Sequence, residues 1–239
     1  MRRPVLALLG ACALAVAACG SNDDPPTPGG AASTATTARP PAPAGALPAG
    51  CRRVPAPPPK RERERRPTTR LDRDRTWTVF LETNCGTIVI RLAMRGGPDS
   101  ATSFASLARR GFYDGLTFHR IAGDPATGPF VIQGGDPLGT GLGGPGYTVV
   151  DKPPPGTRYT RGTVAMAKTA TEPRGASGSQ FFIVTAADAG LPPDYALIGR
   201  VVGGEQAVER IASVQTDETE RPVAPVVIRR ATVRGSAPS

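Results

Sequence analysis

A series of short, β-rich runs after residue 76 constrains the fold of this chain more than any other feature. The first two runs, within WTVFLETNCGTIVIRL, are separated by a break at residues 84–86, which is typical of a β-hairpin. Further runs read LTFHRI, FVIQGGD, YTVV, GTVAMA, QFFIVT, ALIGRVV and VVIRRATV, and most are bounded by Gly, Pro or Asp. Strands so short and so closely spaced predict antiparallel pairing rather than a parallel sheet with helical crossovers.

Two stretches of the same region carry apolar residues at helical spacing. One covers about residues 101–110, where Phe104 and Leu107 share a face, and the other lies in GEQAVERIASV around Ile211. Many short strands with two helices predict a mainly β domain over residues 76–235. We expect a closed eight-stranded antiparallel β-barrel with two capping α-helices.

The chain before this region has a different composition. A large share of the 27 prolines lies there, and residues 20–75 contain almost no apolar run that could pack into a core. Segments of this kind cannot bury enough apolar surface to offset the entropy of ordering. We therefore predict a disordered Pro/Ala/Arg-rich tether over residues 19–75, and a short disordered tail over residues 236–239.

The first 18 residues have the pattern of a secretory signal peptide. Two arginines precede an apolar run at residues 5–16, which is too short to remain in a bilayer as a spanning helix. The letters VAAC, ending at Cys19, resemble the lipobox of bacterial lipoproteins. This resemblance implies a signal peptide over residues 1–18, lipid on Cys19, and an exported protein anchored to the outer face of the cytoplasmic membrane of a bacterium. An ordinary signal peptide with an incidental Cys19 is the alternative.

The formal charge of +9 is concentrated upstream of the predicted domain. Residues 52–75 hold ten basic and four acidic residues, whereas residues 76–239 hold sixteen basic and fourteen acidic ones. The net charge of the domain is therefore close to zero, which disfavours nucleic acid as a partner. The basic stretch KRERERRPTTRLDRDR is either a solvated, self-repelling spacer or a segment that contacts anionic lipid headgroups or cell-wall polymers.

The chain has four cysteines. If Cys12 is removed with the signal peptide and Cys19 carries lipid, Cys51 and Cys85 remain as a pair. An even pair in an exported protein predicts a disulfide. Two free thiols are the alternative.

The inventory of catalytic groups is narrow. His119 is the only histidine, which excludes a metal site built from clustered histidines. The sequence shows no G-x-S-x-G turn and no evident carboxylate pair, so hydrolytic chemistry is disfavoured. We predict no metal and no cofactor, and we interpret His119 as a structural residue satisfied by a hydrogen bond.

Gly139, Gly141 and Gly144 have the G-x-G-x-x-G spacing of a dinucleotide-binding turn. Such a turn needs a helix directly after the glycines, because the helix N-terminus receives the pyrophosphate. Here Pro145, Gly146 and the β-type run YTVV follow instead. A nucleotide-dependent oxidoreductase is therefore disfavoured, and the glycines are interpreted as a connection between strands.

Four sequence blocks carry a resemblance to a known family. FHR, FVIQGGD, AMA and GSQFFI occur in the order and approximate spacing of the cyclophilin-type peptidyl-prolyl cis-trans isomerases, and the resemblance covers about residues 77–235. It implies a cyclophilin-like fold and an enzyme, expected to be monomeric, that accelerates X-Pro rotation without a cofactor. X-Pro-containing exported polypeptides would be its substrates. A non-catalytic, proline-peptide-binding chaperone is the rival function.

The resemblance also assigns the site. Arg120 is the implied donor to the twisted imide, and Phe130 and Gln133 complete the catalytic set. The implied substrate-binding residues are Val131, Ala167, Lys168, Gln180, Phe182, Leu191 and Tyr195. Two departures from the family pattern stand out: residues 122–129 form an insertion beside the site, and Lys168 replaces the usual asparagine.

Overall fold

A computed structural model describes residues 45–61, 63–124 and 126–236. All of the described residues belong to one compact unit. The predicted signal peptide, Cys19 and the final three residues of the predicted tail lie outside the described part.

The described residues form ten strands and two helices. They are β1 (Trp77–Thr83), β2 (Gly86–Leu92), α1 (Pro98–Arg109), β3 (Thr117–Asp124), β4 (Gly128–Asp136), β5 (Val149–Val150), β6 (Thr163–Met166), β7 (Ala176–Ser177), β8 (Phe181–Val184), β9 (Leu197–Gly203), α2 (Glu205–Ala212) and β10 (Ile228–Gly235). Eight strands form one sheet in the order β10-β1-β2-β9-β6-β8-β4-β3, and β5 pairs with β7. Every ladder is antiparallel.

The large sheet is curled but open, so the predicted closed barrel is wrong in this respect. Its edge strands β10 and β3 form no ladder with each other. A single bridge joins Thr117 to Val227, and the Phe118 N–H donates to the Val226 carbonyl at 2.9 Å. Beyond this bridge the Ile121 N–H of β3 donates to the Glu220 carbonyl at 2.9 Å, so this edge of β3 bonds to the turn at Glu220 rather than to an extension of β10.

The main core lies between the concave sheet and α1. Alternate residues of β1, Val79 and Leu81, point into it and are fully buried, as the two-residue period of a strand requires. Phe104 and Leu107 of α1 meet them in the same cluster. Each such side chain contributes about 1.5–3 kcal/mol on burial.

An aromatic group ties α1 to the strands that carry the site. Phe181 at the start of β8 lies edge-on to Phe104, Tyr113 and Phe118, with ring centroids 5.2, 5.7 and 5.7 Å away. The Tyr113 hydroxyl donates to the Ser179 carbonyl at 3.0 Å. The beginning of β8 is therefore held by packing and by a buried hydrogen bond.

Residues 45–75 are here called the upstream segment; those that the structure describes form no helix or strand but lie against the domain. Cys51 is bonded to Cys85, which places the predicted disulfide at the start of this segment. The Lys60 N–H donates to the Pro137 carbonyl at 2.7 Å, and the Glu64 N–H donates to the Pro145 carbonyl at 2.8 Å. This part of the predicted tether is thus in contact with the domain along its length.

Side chains supplement these backbone contacts. Arg110 of the domain forms an ion pair with Glu64 at 3.0 Å, and Arg70 pairs with Asp99 in the first turn of α1. Asp99 also has a lowered pKa because Arg70 donates to its carboxylate. The prolines of the segment keep it extended, so its remaining N–H groups are available to acceptors on the domain surface.

Candidate active site

Arg120 and Gln133 face each other across the ladder between β3 and β4, where they are register partners. The Arg120 Nη1 donates to Gln133 Oε1 at 3.2 Å. The Arg120 side chain is 42% exposed, so its guanidinium lies at the surface of the sheet. The strand pairing brings these two predicted catalytic residues together without help from a flexible loop.

A row of amides continues from Gln133 across the sheet. The Gln133 Nε2 donates to Gln180 Oε1 at 2.9 Å, and Gln180 Nε2 donates to the carbonyls of Gly141 and Gly143, each at 2.9 Å. The side-chain oxygen of each glutamine is thereby turned towards the preceding donor. Arg120, Gln133 and Gln180 form one connected polar line.

The glycine-rich connection after β4 supports the end of this line. Buried Asp136 accepts backbone N–H groups from Leu138 at 2.8 Å and Thr140 at 2.8 Å, and also from Gly141. These bonds curl the connection so that its carbonyls meet Gln180. The G-x-G-x-x-G glycines thus belong to a loop that leads to β5, which agrees with the prediction that they do not form a dinucleotide-binding turn.

Glu220 is the first of two site residues that the sequence analysis did not predict. It lies between α2 and β10, 100 positions from Arg120, and its Oε2 accepts from the Arg120 Nε at 2.7 Å. Its Oε1 accepts the Gly123 N–H at 3.3 Å, and its carbonyl accepts the Ile121 N–H at 2.9 Å. Glu220 therefore bonds to the Arg120 side chain and to the β3 backbone just after the arginine.

The backbone of Glu220 is strained. Its φ of 63° is the only positive φ of a non-glycine residue in the described part of the chain, and that region favours glycine. Asp217 holds the turn by accepting the N–H groups of Thr219 at 2.8 Å and Arg221 at 3.1 Å. The turn therefore keeps the Glu220 carboxylate beside Arg120 at a conformational cost.

An apolar pocket lies next to the polar line. A small cluster separate from the main core contains the buried side chains of Ala122, Val131, Tyr159, Ala165, Phe182 and Val184, and half-buried side chains pack against it: Phe130, Ala167, Ala189, Leu191, Tyr195 and Leu197. The predicted pocket residues are thus brought together in one cluster. Its half-buried members leave an apolar surface that can receive a small ring.

Tyr159 is a second residue that sequence reasoning missed. It is fully buried, its hydroxyl donates to the Tyr195 carbonyl at 2.7 Å, and the Tyr195 N–H donates back to that hydroxyl at 2.9 Å. Burial raises the pKa of Tyr159 to about 12. The Tyr195 ring is also edge-on to Phe182 at 5.3 Å, so Tyr159 holds a wall of the pocket in place.

Ala167 and Lys168 directly follow β6, and Ala167 packs against the small apolar cluster. The Ala167 N–H donates to the Gln180 carbonyl at 2.9 Å. The Lys168 Nζ donates to the carbonyls of Thr169 and Glu172, each at 3.1 Å, and lies 5.9 Å from the Tyr195 ring centroid. The ammonium is therefore folded back onto its own loop.

The insertion at residues 122–129 lengthens the hairpin between β3 and β4. Pairing continues through Gly123 opposite Pro129 and Asp124 opposite Gly128. Asp124 Oδ1 accepts the Ala126 N–H at 2.8 Å, which organises the described part of the tip. The extra residues thus extend existing strands beside the pocket.

His119 is a residue of β3, and its side chain is buried. It is 8% exposed, and neither ring nitrogen has a hydrogen-bond partner among the described residues. Burial lowers the pKa of His119, with Asp136 acting against this shift and Arg221 adding to it. The Thr117 backbone also acts against the lowering of the His119 pKa, so a hydrogen bond that satisfies His119 stays a prediction.

This burial predicts an acid-dependent loss of stability. Because the folded protein binds a proton at His119 less readily than the unfolded chain does, the free energy of unfolding should fall as the pH drops below 6.5, the ordinary pKa of histidine. The slope is at most about 1.4 kcal/mol per pH unit. Urea denaturation between pH 7.5 and 5.5 measures it, and His119→Gln should flatten it. An unchanged slope in His119→Gln would assign the effect to other groups.

The fold and the site together define a class of protein. An arginine and two amides line one side of a groove whose other side is a half-exposed apolar pocket, all presented by a curled antiparallel sheet with two helices. Such a groove suits an extended peptide that places a small apolar ring in the pocket and backbone groups on the amides. The class is that of proline-peptide-binding isomerases.

The comparisons with known proteins agree. The family model described as cyclophilin type peptidyl-prolyl cis-trans isomerase/CLD matches residues 78–233. This chain belongs to the cyclophilin-type peptidyl-prolyl cis-trans isomerase family, and it is an isomerase of that type.

Two curated relatives illustrate the similarity. Mouse peptidyl-prolyl cis-trans isomerase-like 1 is 40% identical over 163 residues, which cover 65% of this chain and 93% of the mouse protein. The Arabidopsis thaliana peptidyl-prolyl cis-trans isomerase CYP18-2 is 38% identical over 159 residues, which cover 65% of this chain and 92% of the plant protein.

Solved structures show the same fold. The crystal structure of a cyclophilin type peptidyl-prolyl cis-trans isomerase from Cryptosporidium parvum has a TM-score of 0.60 and 29% sequence identity, and covers 68% of this chain and 99% of that one. A second structure of that protein, determined in the presence of the dipeptide Ala-Pro, has a TM-score of 0.59 and 28% identity, and covers 66% of this chain and 99% of that one.

The predicted location is contradicted by these relatives. They are eukaryotic peptidyl-prolyl cis-trans isomerases and isomerase-like proteins, not bacterial lipoproteins. The prediction of a protein lipid-anchored to the outer face of a bacterial cytoplasmic membrane is therefore wrong. In the described residues, no helix has the length and apolar character to cross a membrane.

Proposed function

We propose that Arg120 accelerates X-Pro rotation by donating a hydrogen bond to the imide nitrogen of the twisted bond. In the planar bond the nitrogen lone pair is delocalised, and rotation must cross a barrier of about 18–20 kcal/mol. In the twisted state delocalisation is lost and the nitrogen becomes an acceptor. A fixed cationic donor then binds the transition state more strongly than the ground state, which is what lowers the barrier.

The observation that carries this proposal is how the guanidinium is held. Its Nε contacts Glu220 and its Nη1 contacts Gln133, yet the side chain stays 42% exposed. A guanidinium has five N–H donors, and these are its two hydrogen-bond contacts within the described residues. The arginine is therefore oriented in advance while donors remain for a substrate.

The residues around Arg120 are proposed to bind different parts of the peptide. We assign the proline ring to the apolar pocket, whose predicted members are Phe130, Val131, Phe182, Leu191 and Tyr195. Gln133 supports the arginine and contacts the substrate backbone, together with Gln180 and the strand end at residues 167–168. The Ala-Pro dipeptide present with the Cryptosporidium relative supports a proline-containing peptide as the occupant of this groove.

The catalytic domain is proposed to comprise residues 76–235. This range contains all strands and helices of the described part of the chain and slightly exceeds the family match. A monomeric state stays a prediction.

One experiment separates the isomerase from a proline-peptide-binding chaperone. Two-dimensional NMR exchange on a short Ala-Pro peptide measures cis-trans interconversion at catalytic amounts of protein, and line broadening at stoichiometric amounts measures binding. We expect interconversion well above the uncatalysed rate. Binding without any acceleration would establish the chaperone function instead.

Glu220 should act as a positioning residue for Arg120. Glu220→Gly removes the carboxylate but also relieves the strain at φ 63°, because glycine adopts this conformation freely. We expect kcat/KM to fall about tenfold, close to 1.4 kcal/mol, while the free energy of unfolding stays equal or rises. A purely structural role for Glu220 predicts the opposite combination.

The conservative variant Glu220→Gln completes this test. Its amide oxygen can still accept from the Arg120 Nε, so part of the lost activity should return. The substitution Asp217→Ala is the control for a change in the turn itself. Asp217 holds the same turn as Glu220 but does not contact Arg120. Equal activity in Glu220→Gly and the unsubstituted protein would remove Glu220 from the mechanism.

A further inference from the structure

A second cleft adjoins the groove formed by the polar line and the apolar pocket. It has a volume of about 720 Å³ and shares Gln133, Ala167 and Gln180 with the groove. The glycine-rich connection after β4 forms one wall, and its Leu142 side chain is 84% exposed there. A peptide lying across the polar line therefore reaches this cleft with residues that flank the X-Pro bond.

The upstream segment forms another part of the cleft wall. Lys60, Arg61 and Arg63 line it, although the segment precedes the residues that match the family model. The backbone N–H groups of Lys60 and Glu64 donate to the domain, and these two bonds hold the segment on either side of Arg61 and Arg63. The Arg63 stem also lies against Gly146, where an added Cβ would come within 3.2 Å of Arg63 Cγ.

The charge of this wall is positive and largely uncompensated. Residues 60–66 contain five basic and two acidic residues, and the Glu64 carboxylate is already paired with Arg110. Arg61 and Arg63 have no ion pair or hydrogen bond from their side chains to any other described residue. Arg61 and Arg63 therefore line the cleft with N–H donors that no described residue accepts.

Glu172 is the single carboxylate among the described residues that line the cleft, and it does not neutralise Arg61 and Arg63. Glu172 accepts the Thr169 N–H at 2.7 Å and the Thr169 hydroxyl at 2.9 Å, so it is directed into its own turn. Lys168, which also lines the cleft, adds a further positive charge nearby. The field inside the cleft therefore favours a negative group.

We propose that this cleft binds an acidic side chain of the substrate polypeptide close to the X-Pro bond, and that Arg61 and Arg63 thereby set substrate preference. The proposal rests on the proposed isomerase function. It commits to a substrate peptide because the cleft and the groove share three residues, so that one extended chain occupies both. Arginine suits the role since its planar fork matches a carboxylate.

Peptides with a single varied residue test the proposal. Each contains one Ala-Pro bond and carries Glu, Lys or Ala at one of the three positions on either side of it. Cis-trans exchange of each peptide is measured by NMR with the full chain, with the double variant Arg61→Ala/Arg63→Ala, and with Arg65→Ala/Arg73→Ala. The last variant removes the same charge from the same segment, outside the cleft lining.

At one flanking position we expect Glu to raise kcat/KM about fivefold over Lys, as two partly exposed ion pairs allow. The preference should disappear in Arg61→Ala/Arg63→Ala, persist in Arg65→Ala/Arg73→Ala, and weaken in 0.5 M salt, because exposed charges are then screened. The double variant Arg61→Glu/Arg63→Glu should prefer Lys.

Two other results have distinct meanings. Catalysis of the Ala peptides with no difference between Glu and Lys at any position overturns the acidic preference and leaves the isomerase function intact. An equal loss of preference in Arg65→Ala/Arg73→Ala assigns the effect to the net charge of the segment and also overturns the proposal. No acceleration of any peptide contradicts the isomerase function itself.

Discussion

Arg120→Ala should lower kcat/KM for a short X-Pro peptide by about 100- to 1,000-fold, as the loss of one preorganised donor to a transition state typically does. In the proposed mechanism the guanidinium contacts the imide nitrogen only when the bond is twisted, so kcat should fall more than KM rises. Arg120→Lys should recover only part of the rate, since an ammonium cannot contact Gln133 and Glu220 with a rigid fork.

Stability and activity must be measured together for this variant. The ion pair with Glu220 is partly exposed on both sides, so its loss should change the free energy of unfolding by about 1 kcal/mol or less. Arg229→Ala, at an exposed position of β10, is the matched control and should keep full activity. A folded Arg120→Ala variant with the activity of the unsubstituted protein would refute the mechanism.

Phe181→Ala and Phe182→Ala should affect different properties, although the two residues are adjacent in β8. Phe181 is fully buried and contacts three aromatic rings of the main core, so its truncation should cost about 3–5 kcal/mol. Phe182 lies in the small cluster at the groove, where its ring forms part of the pocket. Its truncation should chiefly raise KM and destabilise the protein by about half as much.

Urea denaturation and peptide kinetics on both variants check this contrast. Phe181→Ala should lower the denaturation midpoint strongly, while the molecules that remain folded keep a nearly unchanged KM. Phe182→Leu, which retains apolar bulk, should recover part of the binding lost in Phe182→Ala. If Phe181→Ala raised KM as much as Phe182→Ala, the division between core face and groove face would not hold.

The regular elements of the domain could be predicted because their patterns are local. The hairpin expected at 77–92 appears as β1 and β2, and the helix expected at about 101–110 spans Pro98–Arg109. The helix begins earlier than expected because Pro98 occupies its first turn, where a missing N–H is harmless. Alternating apolar residues and local stop signals are sufficient for such assignments.

The partners of Arg120 could be predicted only in part. Gln133 follows Arg120 on the next strand, and a hairpin brings such residues together. Glu220 comes from a turn 100 positions away, and no local pattern marks a residue that must adopt a positive φ. Tyr159 was missed for a similar reason, since its hydroxyl bonds to the backbone of a loop residue 36 positions away.

The sequence alone indicated most of the strands and both helices, because alternating and helical apolar patterns are local, and its ordered motifs predicted which arginine, glutamine and apolar side chains form the proline site. Only the tertiary structure decided that the sheet stays open between β10 and β3, that Glu220 holds Arg120, and that the upstream segment lines a cleft beside the groove. These features depend on hydrogen bonds and packing between distant residues. Their free energy arises when the folded surface brings those residues together.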